Sequence, residues 1–254
     1  YTNRGNIITP LKDRIDSQIM THYPETIEES MTITEQESWS IRNGEFEITI
    51  PKYFKEIVEE VAFTARKSEF VDQKSGVSAR MTISLMENII SNMEHRGLLI
   101  NEKKLFPRIC DLQIALTAMT GKMELVYEGE QEGSVLVSRK IIGQAVKKVF
   151  KNYFPHPHKK PKTPKNAPIE ETPYQSIVDW FTDGKTVEIT DGLNTKAYFE
   201  TLDKVTGLHE MALEHLDSTT SGESALAMEF LLEGLHQHSM LSKRDVDSTT
   251  SYRD

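Results

Sequence analysis

One cysteine in 254 residues excludes any internal disulfide, so packing and polar pairing must hold this chain together. No apolar run approaches the roughly 20 residues needed to cross a bilayer as a helix, and the first residues show no secretory-signal pattern. These absences lead to the expectation of a cytoplasmic chain without membrane association. Also missing is a Gly-x-x-x-x-Gly-Lys-[Ser/Thr] loop, whose backbone N–H groups would cradle phosphates, together with an acidic strand end to hold magnesium. The nearest imitation is Gly184-Lys185-Thr186, but Asp179 stands where the first glycine belongs. The preceding IVDWF reads as helix rather than strand, so the stretch is read as a turn. A net charge of −9 argues against general nucleic-acid binding, and no helix-turn-helix pattern with a basic recognition helix is present.

Metal chemistry lacks its ligand spacing as well. His209-Glu210 would need a second His at position 213 to make a zinc-protease helix, and that residue is Leu213, with His215 on another side. Glu233 and His236 form one Glu-x-x-His unit, whereas a di-iron bundle needs two plus further carboxylates. His156 and His158 alternate across prolines and read as exposed linker residues. No metal ligand is assigned. Cys110 falls on an apolar helical face, the position of a small core residue rather than a nucleophile.

What is present is ordinary globular composition, 37% hydrophobic and 27% charged, in a chain long enough to bury one or two cores. Phe54, Ile57, Val58, Val61 and Ala65 make the face of an amphipathic helix after Pro51, and FEITI upstream alternates like a short strand. Ile83, Met86, Ile90 and Met93 mark a second helix. Ile109, Leu112, Leu116, Met119, Met123 and Val126 step by three and four, which predicts one long helix running through Gly121. In KIIGQAVKKVFKNYF the buried stripe is Ile142, Val146, Val149 and Tyr153. After residue 173, YQSIVDWF, AYFETLDKV, LHEMALEHL and SALAMEFLLEGLHQH read as short helices and only KTVEIT as strand. The Ser-, Thr- and Asp-rich tail from Asp245 is expected to fray.

Charge is unevenly spread. Residues 139–165 hold nine Lys or Arg and no Asp or Glu, which leaves 21 basic against 39 acidic residues elsewhere. The second half of that stretch, PHPHKKPKTPKNAP, has too many prolines for a helix and reads as an extended linker. A solvated linker is the default reading, and a docking strip for an acidic partner or phosphate the alternative.

Two arginines stand in contexts suited to phosphate. In TPLKDRI, Thr9 can cap a short helix whose first position suits Pro10, so that Asp13 and Arg14 project from a fixed turn. In KSGVSARMTI, Ser75, Gly76 and Ser78 break the chain before a helix, and Arg80 falls in its first turn. There the backbone dipole disfavours a cation unless an anion shares the site. The plain alternative is that both are solvated surface arginines.

The stretch from NRGNIITPLKDRI through DQKSGVSARMTI to MELVYEGEQEG resembles the AAA+ ATPases of the magnesium-chelatase-like or MoxR-like family. The resemblance implies that Arg14 is an arginine finger, although chelatase subunits more often read Leu-Leu-Asp-Arg-Phe where this chain has Leu11-Lys12-Asp13-Arg14-Ile15. It implies that Arg80 is the sensor 2 residue, contacting nucleotide from the lid. The fold expected is mainly α: an AAA+ helical lid followed by a second helical region, with few short strands. The implied divisions are 1–48, the end of an AAA+ core with the finger element; 49–100, the lid with sensor 2; 101–154, a helical extension; 155–173, the Pro/Lys-rich linker; and 174–254, a C-terminal helical region with a polar tail. ATP and Mg2+ are the cofactors implied for a full-length protein, neither held by this stretch alone. The chain starts at Tyr1 and lacks the phosphate loop, so the simplest reading is a C-terminal fragment cut just downstream of the ATP-binding core. The implied partners are neighbouring subunits of a homo-oligomeric ring and a client protein the sequence does not name. The alternative reading is a non-catalytic helical protein-interaction module in which both arginines are structural.

Overall fold

The computed structural model describes residues 13–17, 19–40, 42, 44–74, 76–158, 172–246 and 249–254. Thr9, Pro10, Leu11, Lys12, Ser75 and linker residues 159–171 lie outside that set. The described chain is mainly helical with short strands. Helix α1 (Ile27–Glu37) begins at a capping box: Thr26 Oγ1 accepts from Glu29 N, and the Glu29 carboxylate accepts from Thr26 N. After the two-residue strand β1 (Glu47–Ile48), Pro51 starts α2 (Lys52–Arg66). The expected face of α2 is fully buried at Phe54, Ile57, Val58, Val61 and Ala65.

Helix α3 (Met81–Ile100) ends at Asn101, whose left-handed φ of 55° an asparagine tolerates. Its buried face is wider than the four-residue stripe read from sequence and takes in Met81, Leu85, Met86, Ile89, Ile90 and Met93, with Ile83 half-buried. The reason is packing from two sides, by α1 and α2 on one and by the segment after Arg108 on the other. Polar bonds pin the first three helices together. Ser30 Oγ donates to Glu59 Oε2 at 2.5 Å, and the Thr34 and Thr82 hydroxyls lie 2.9 Å apart.

The long helix expected over 109–126 is instead two short ones, α4 (Ile109–Ile114) and α5 (Leu116–Thr120), which follow strand β2 (Lys104–Leu105). Ala115, at φ −72° and ψ 0°, breaks the run. Beyond Gly121 the chain is extended: Met123 bridges Val77 and Leu125 bridges Val71, both antiparallel. Met123 is therefore buried by pairing with the loop before α3, an interaction that mimics helical spacing in the sequence. Helices α6 (Tyr127–Glu132) and α7 (Ser134–Tyr153) follow, and α7 lays its stripe on α2.

Past the linker come α8 (Gln175–Thr182), β3 (Val187–Thr190), α9 (Thr195–Leu202), α10 (Leu208–His215) and α11 (Ser221–Gln237). Helix α11 is buried on almost every side, against α7, α9, α10 and α4. Its Phe230 stacks on Tyr53 of α2 at 5.1 Å and meets Phe150 of α7 edge-on at 6.0 Å. Residues from both sides of 155–173 thus enter one continuous core.

Close packing at that seam makes a first prediction. A Cβ on Gly234 would lie 2.0 Å from Phe150 Cδ2, and Phe150 is fully buried with no space to retreat. Gly234→Ala should therefore destabilise the fold by ~1–3 kcal/mol, read as a lowered urea midpoint at unchanged slope. A midpoint equal to wild type would contradict the helix contact.

The described residues of the tail form strands instead of an irregular end. Strands β4 (Ser242–Val246) and β5 (Thr249–Arg253) join β3 in an antiparallel sheet of order β3-β5-β4. Tyr252 pairs opposite Val187 and is fully buried, while Ser and Thr occupy the alternate positions. Its polar composition hid a strand anchored by a single aromatic side chain.

Candidate functional site

Arg80 occupies the N-cap of α3, one residue ahead of the first turn expected for it, and its side chain is exposed. Its backbone N–H donates to Ser78 Oγ at 3.3 Å, and Ser84 N–H donates to its carbonyl at 3.0 Å. The guanidinium has no hydrogen-bond or ion-pair partner among the described residues, and the first turn of α3 carries no acidic side chain. An unpaired cation thus stands at the positive end of a 20-residue helix. The loop that delivers it is fixed by backbone bonds, with Ser78 N–H donating to Lys122 O at 2.7 Å and Asp72 N–H to Glu124 O at 2.9 Å.

Beside this loop lies a cavity of about 600 Å³, walled by residues 21–23, 76–79 and 121–124. Lys122 is the cationic side chain of its wall and Glu124 an acidic one. Tyr23, which sequence reading passed over, closes one side: its hydroxyl donates to Val77 O at 2.7 Å, and the Arg66 guanidinium sits 4.1 Å over its ring. Gly76 is required there twice. Its φ is +70°, and a Cβ would come within 2.8 Å of the Tyr23 hydroxyl.

Arg14 lies in an exposed turn with Asp13. Among the described residues no hydrogen bond or ion pair joins it to Arg80, and Asp13 forms no ion pair with it. The two sequence-derived site residues are therefore both solvent-facing but are not brought into contact. Residues 19–24 form no helix or strand, with Ile19 and Met20 each 87% exposed.

The other chemistry-bearing residues are structural. Glu233, which sequence reading set aside as half a di-iron motif, accepts from Lys243 at 3.0 Å, Tyr252 Oη at 2.8 Å and Gln237 at 2.8 Å, all below the surface. Burial, the largest single influence, would raise its carboxyl, but Lys243, Gln237 and His236 together outweigh it and hold the group below the ordinary value. Glu229, one turn earlier, accepts from Ile109 N–H at 2.8 Å and from the Tyr198 hydroxyl, and burial keeps its carboxyl above the ordinary range. Cys110 Sγ donates to Asp191 Oδ1 at 3.4 Å, and burial, reinforced by nearby carboxylates, pushes its thiol well up. That is the reverse of what a nucleophile needs. Gly184 turns at φ +80°, and Lys185 pairs with Asp183 at 3.0 Å, so the Gly-Lys-Thr stretch is a turn. Among the described residues no group of three His, Cys, Asp or Glu is placed to hold a metal ion, and no helix is long and apolar enough to cross a membrane.

No family model, no curated protein and no solved structure matches this chain.

Proposed function

We propose that this chain is the lid-bearing part of an AAA+ ATPase of the magnesium-chelatase-like or MoxR-like kind, which works in a ring and transmits nucleotide state to a partner protein. The observation that carries the reading is Arg80: a guanidinium without a partner among the described residues, at the start of a long helix and held by a backbone-braced loop beside a large cavity. An anion at that point would satisfy both the side chain and the helix end. ATP fits the arrangement on one side only. Arg80, with Lys122 in the cavity wall, would meet its phosphates, while phosphate cradling and the magnesium ligands would come from residues this chain does not hold. When bound, ATP supplies the phosphoryl group; Arg80 supplies a charge that engages when the lid is closed, and Arg14 a charge for a neighbouring subunit.

Arg80→Ala in the longer protein should slow hydrolysis and weaken the dependence of lid position on nucleotide, followed by fluorescence transfer between dyes on α3 and the core. Unchanged coupling would remove the sensor assignment. This chain by itself should show no steady-state ATP turnover, because it lacks the phosphate loop. Turnover lost on Lys185→Ala would show that the turn beside Asp183 had been misread.

A second reading, a helical interaction module without a part in hydrolysis, is favoured by one surface. Trp39 is 68% exposed under the Arg42 guanidinium, which reaches the Glu87 carbonyl, Ser91 and Glu94 along α3, and Leu98 is 71% exposed one turn further on. A phosphate loop upstream in the full-length product would decide for the ATPase, and its absence for the module.

A further inference from the structure

The strongest feature outside the Arg80 region is a cluster of three imidazoles where the linker leaves α7. His156, His158 and His238 have ring centroids 5.1, 6.0 and 6.2 Å apart, pairwise. His238, at the end of α11, is 3% exposed, and its Nε2 is buried without a hydrogen-bond partner. Phe150 lies 5.6 Å from its ring. His156 Nδ1 accepts from the His158 backbone N–H at 3.2 Å, and His158 Nε2 donates to the His238 carbonyl at 2.8 Å.

The surroundings dictate the state of one ring. His238 has to be neutral, because a charge there would be buried without a partner among the described residues, close to other positive groups. The groups that face it are Lys147 and Lys151 from α7 and His156 and His158 from the linker side. The His238 ring thus packs against the 155–158 segment only while uncharged.

We infer that this cluster is an acid-released latch, which seats residues 155–158 on the ends of α7 and α11 at neutral pH and lets them go when the buried His238 ring takes up a proton. Protonation of His238 puts a third positive charge beside two lysines. Burial, followed by Lys147, His156, Lys151 and His158, pushes His238 down to about 4, so its contribution to stability is complete above its ordinary value near 6.5 and is lost as pH falls toward 4. Tyr174 Oη donates to Pro155 O at 2.7 Å, so release also loosens the approach to α8. The latch does not depend on the ATPase reading.

Amide hydrogen exchange at His158, corrected for intrinsic rates, tests the inference between pH 7.5 and 4.5. Protection should fall at least tenfold with a midpoint between 4 and 6.5. His238→Phe should abolish that change, because the Phe ring fills the site without charge. Flat protection in wild type overturns the latch, and so does the same loss in the variant, which would locate the titration elsewhere. Should the variant not fold, the His238 ring-proton shift in wild type decides: a midpoint at or above 6 overturns the proposal.

Discussion

Replacing Lys243 by methionine should cost ~3–5 kcal/mol at pH 7.5, among the largest effects of any single substitution in this chain. Lys243 and Glu233 have side chains only 5% and 3% exposed, so removing the ammonium leaves a carboxylate below the surface with only hydroxyl and amide donors. The pH dependence should also change sign. In wild type the Glu233 carboxyl is held below its ordinary value, so the pair stabilises the fold above roughly pH 4.5 and that stability is lost as pH falls through the lowered value. In Lys243→Met the main opposing charge is gone, burial outweighs the remaining donors, the carboxyl rises, and stability from this group is lost as pH rises past 4.5. Urea midpoints at pH 7.5 and pH 4.5, taken as differences from wild type, separate the two cases: the deficit should be large at 7.5 and shrink at 4.5. Adding Glu233→Leu should recover most of the loss, since an apolar pair of similar volume carries no desolvation penalty. A deficit under 1 kcal/mol at pH 7.5 would mean the pair behaves as a surface ion pair.

That pair also marks the limit of what could be read from residues alone. Amphipathic faces were legible wherever one element buries one side against the core, as in α2 and α7, because helical period and burial then coincide. They failed at 109–126, where three environments in succession happened to share the spacing of one helix. Glu229 and Glu233 sit four residues apart in an otherwise apolar helix, a signal of buried polar pairing, but their partners Tyr198, Lys243 and Tyr252 lie on three other elements that helical spacing does not reveal. The tail was misread for the same reason: its partner strand β3 is about sixty residues away. At the candidate site, the Gly-Val-Ser-x-Arg motif located the loop and the start of α3 to within a residue. Tyr23 was invisible because its role depends on contacts with Val77 and Arg66, more than forty positions distant.

The largest functional effect is expected at Arg14, in a longer protein that carries the phosphate loop. Arg14→Ala should leave nucleotide affinity nearly intact and lower turnover by roughly 10³ to 10⁵, or about 4–7 kcal/mol of transition-state stabilisation. The asymmetry follows from where the charge acts. A finger meets charge that develops on the transferring phosphoryl group, so it contributes little to binding the ground state. Arg14 suits a role between subunits, since it projects from an exposed turn and has no contact with Arg80. Mixing provides the sharper test. Subunits bearing Arg14→Ala, combined with subunits disabled in the phosphate loop, should regain activity at interfaces that pair an intact loop with an intact finger. Neither variant should turn over alone. Recovery that rises and falls with the mixing ratio, highest near equal proportions, would establish action across a boundary. Wild-type turnover in Arg14→Ala alone would end the finger assignment while leaving the reading of Arg80 and the lid untouched, because that reading rests on the α3 N-terminus and its braced loop.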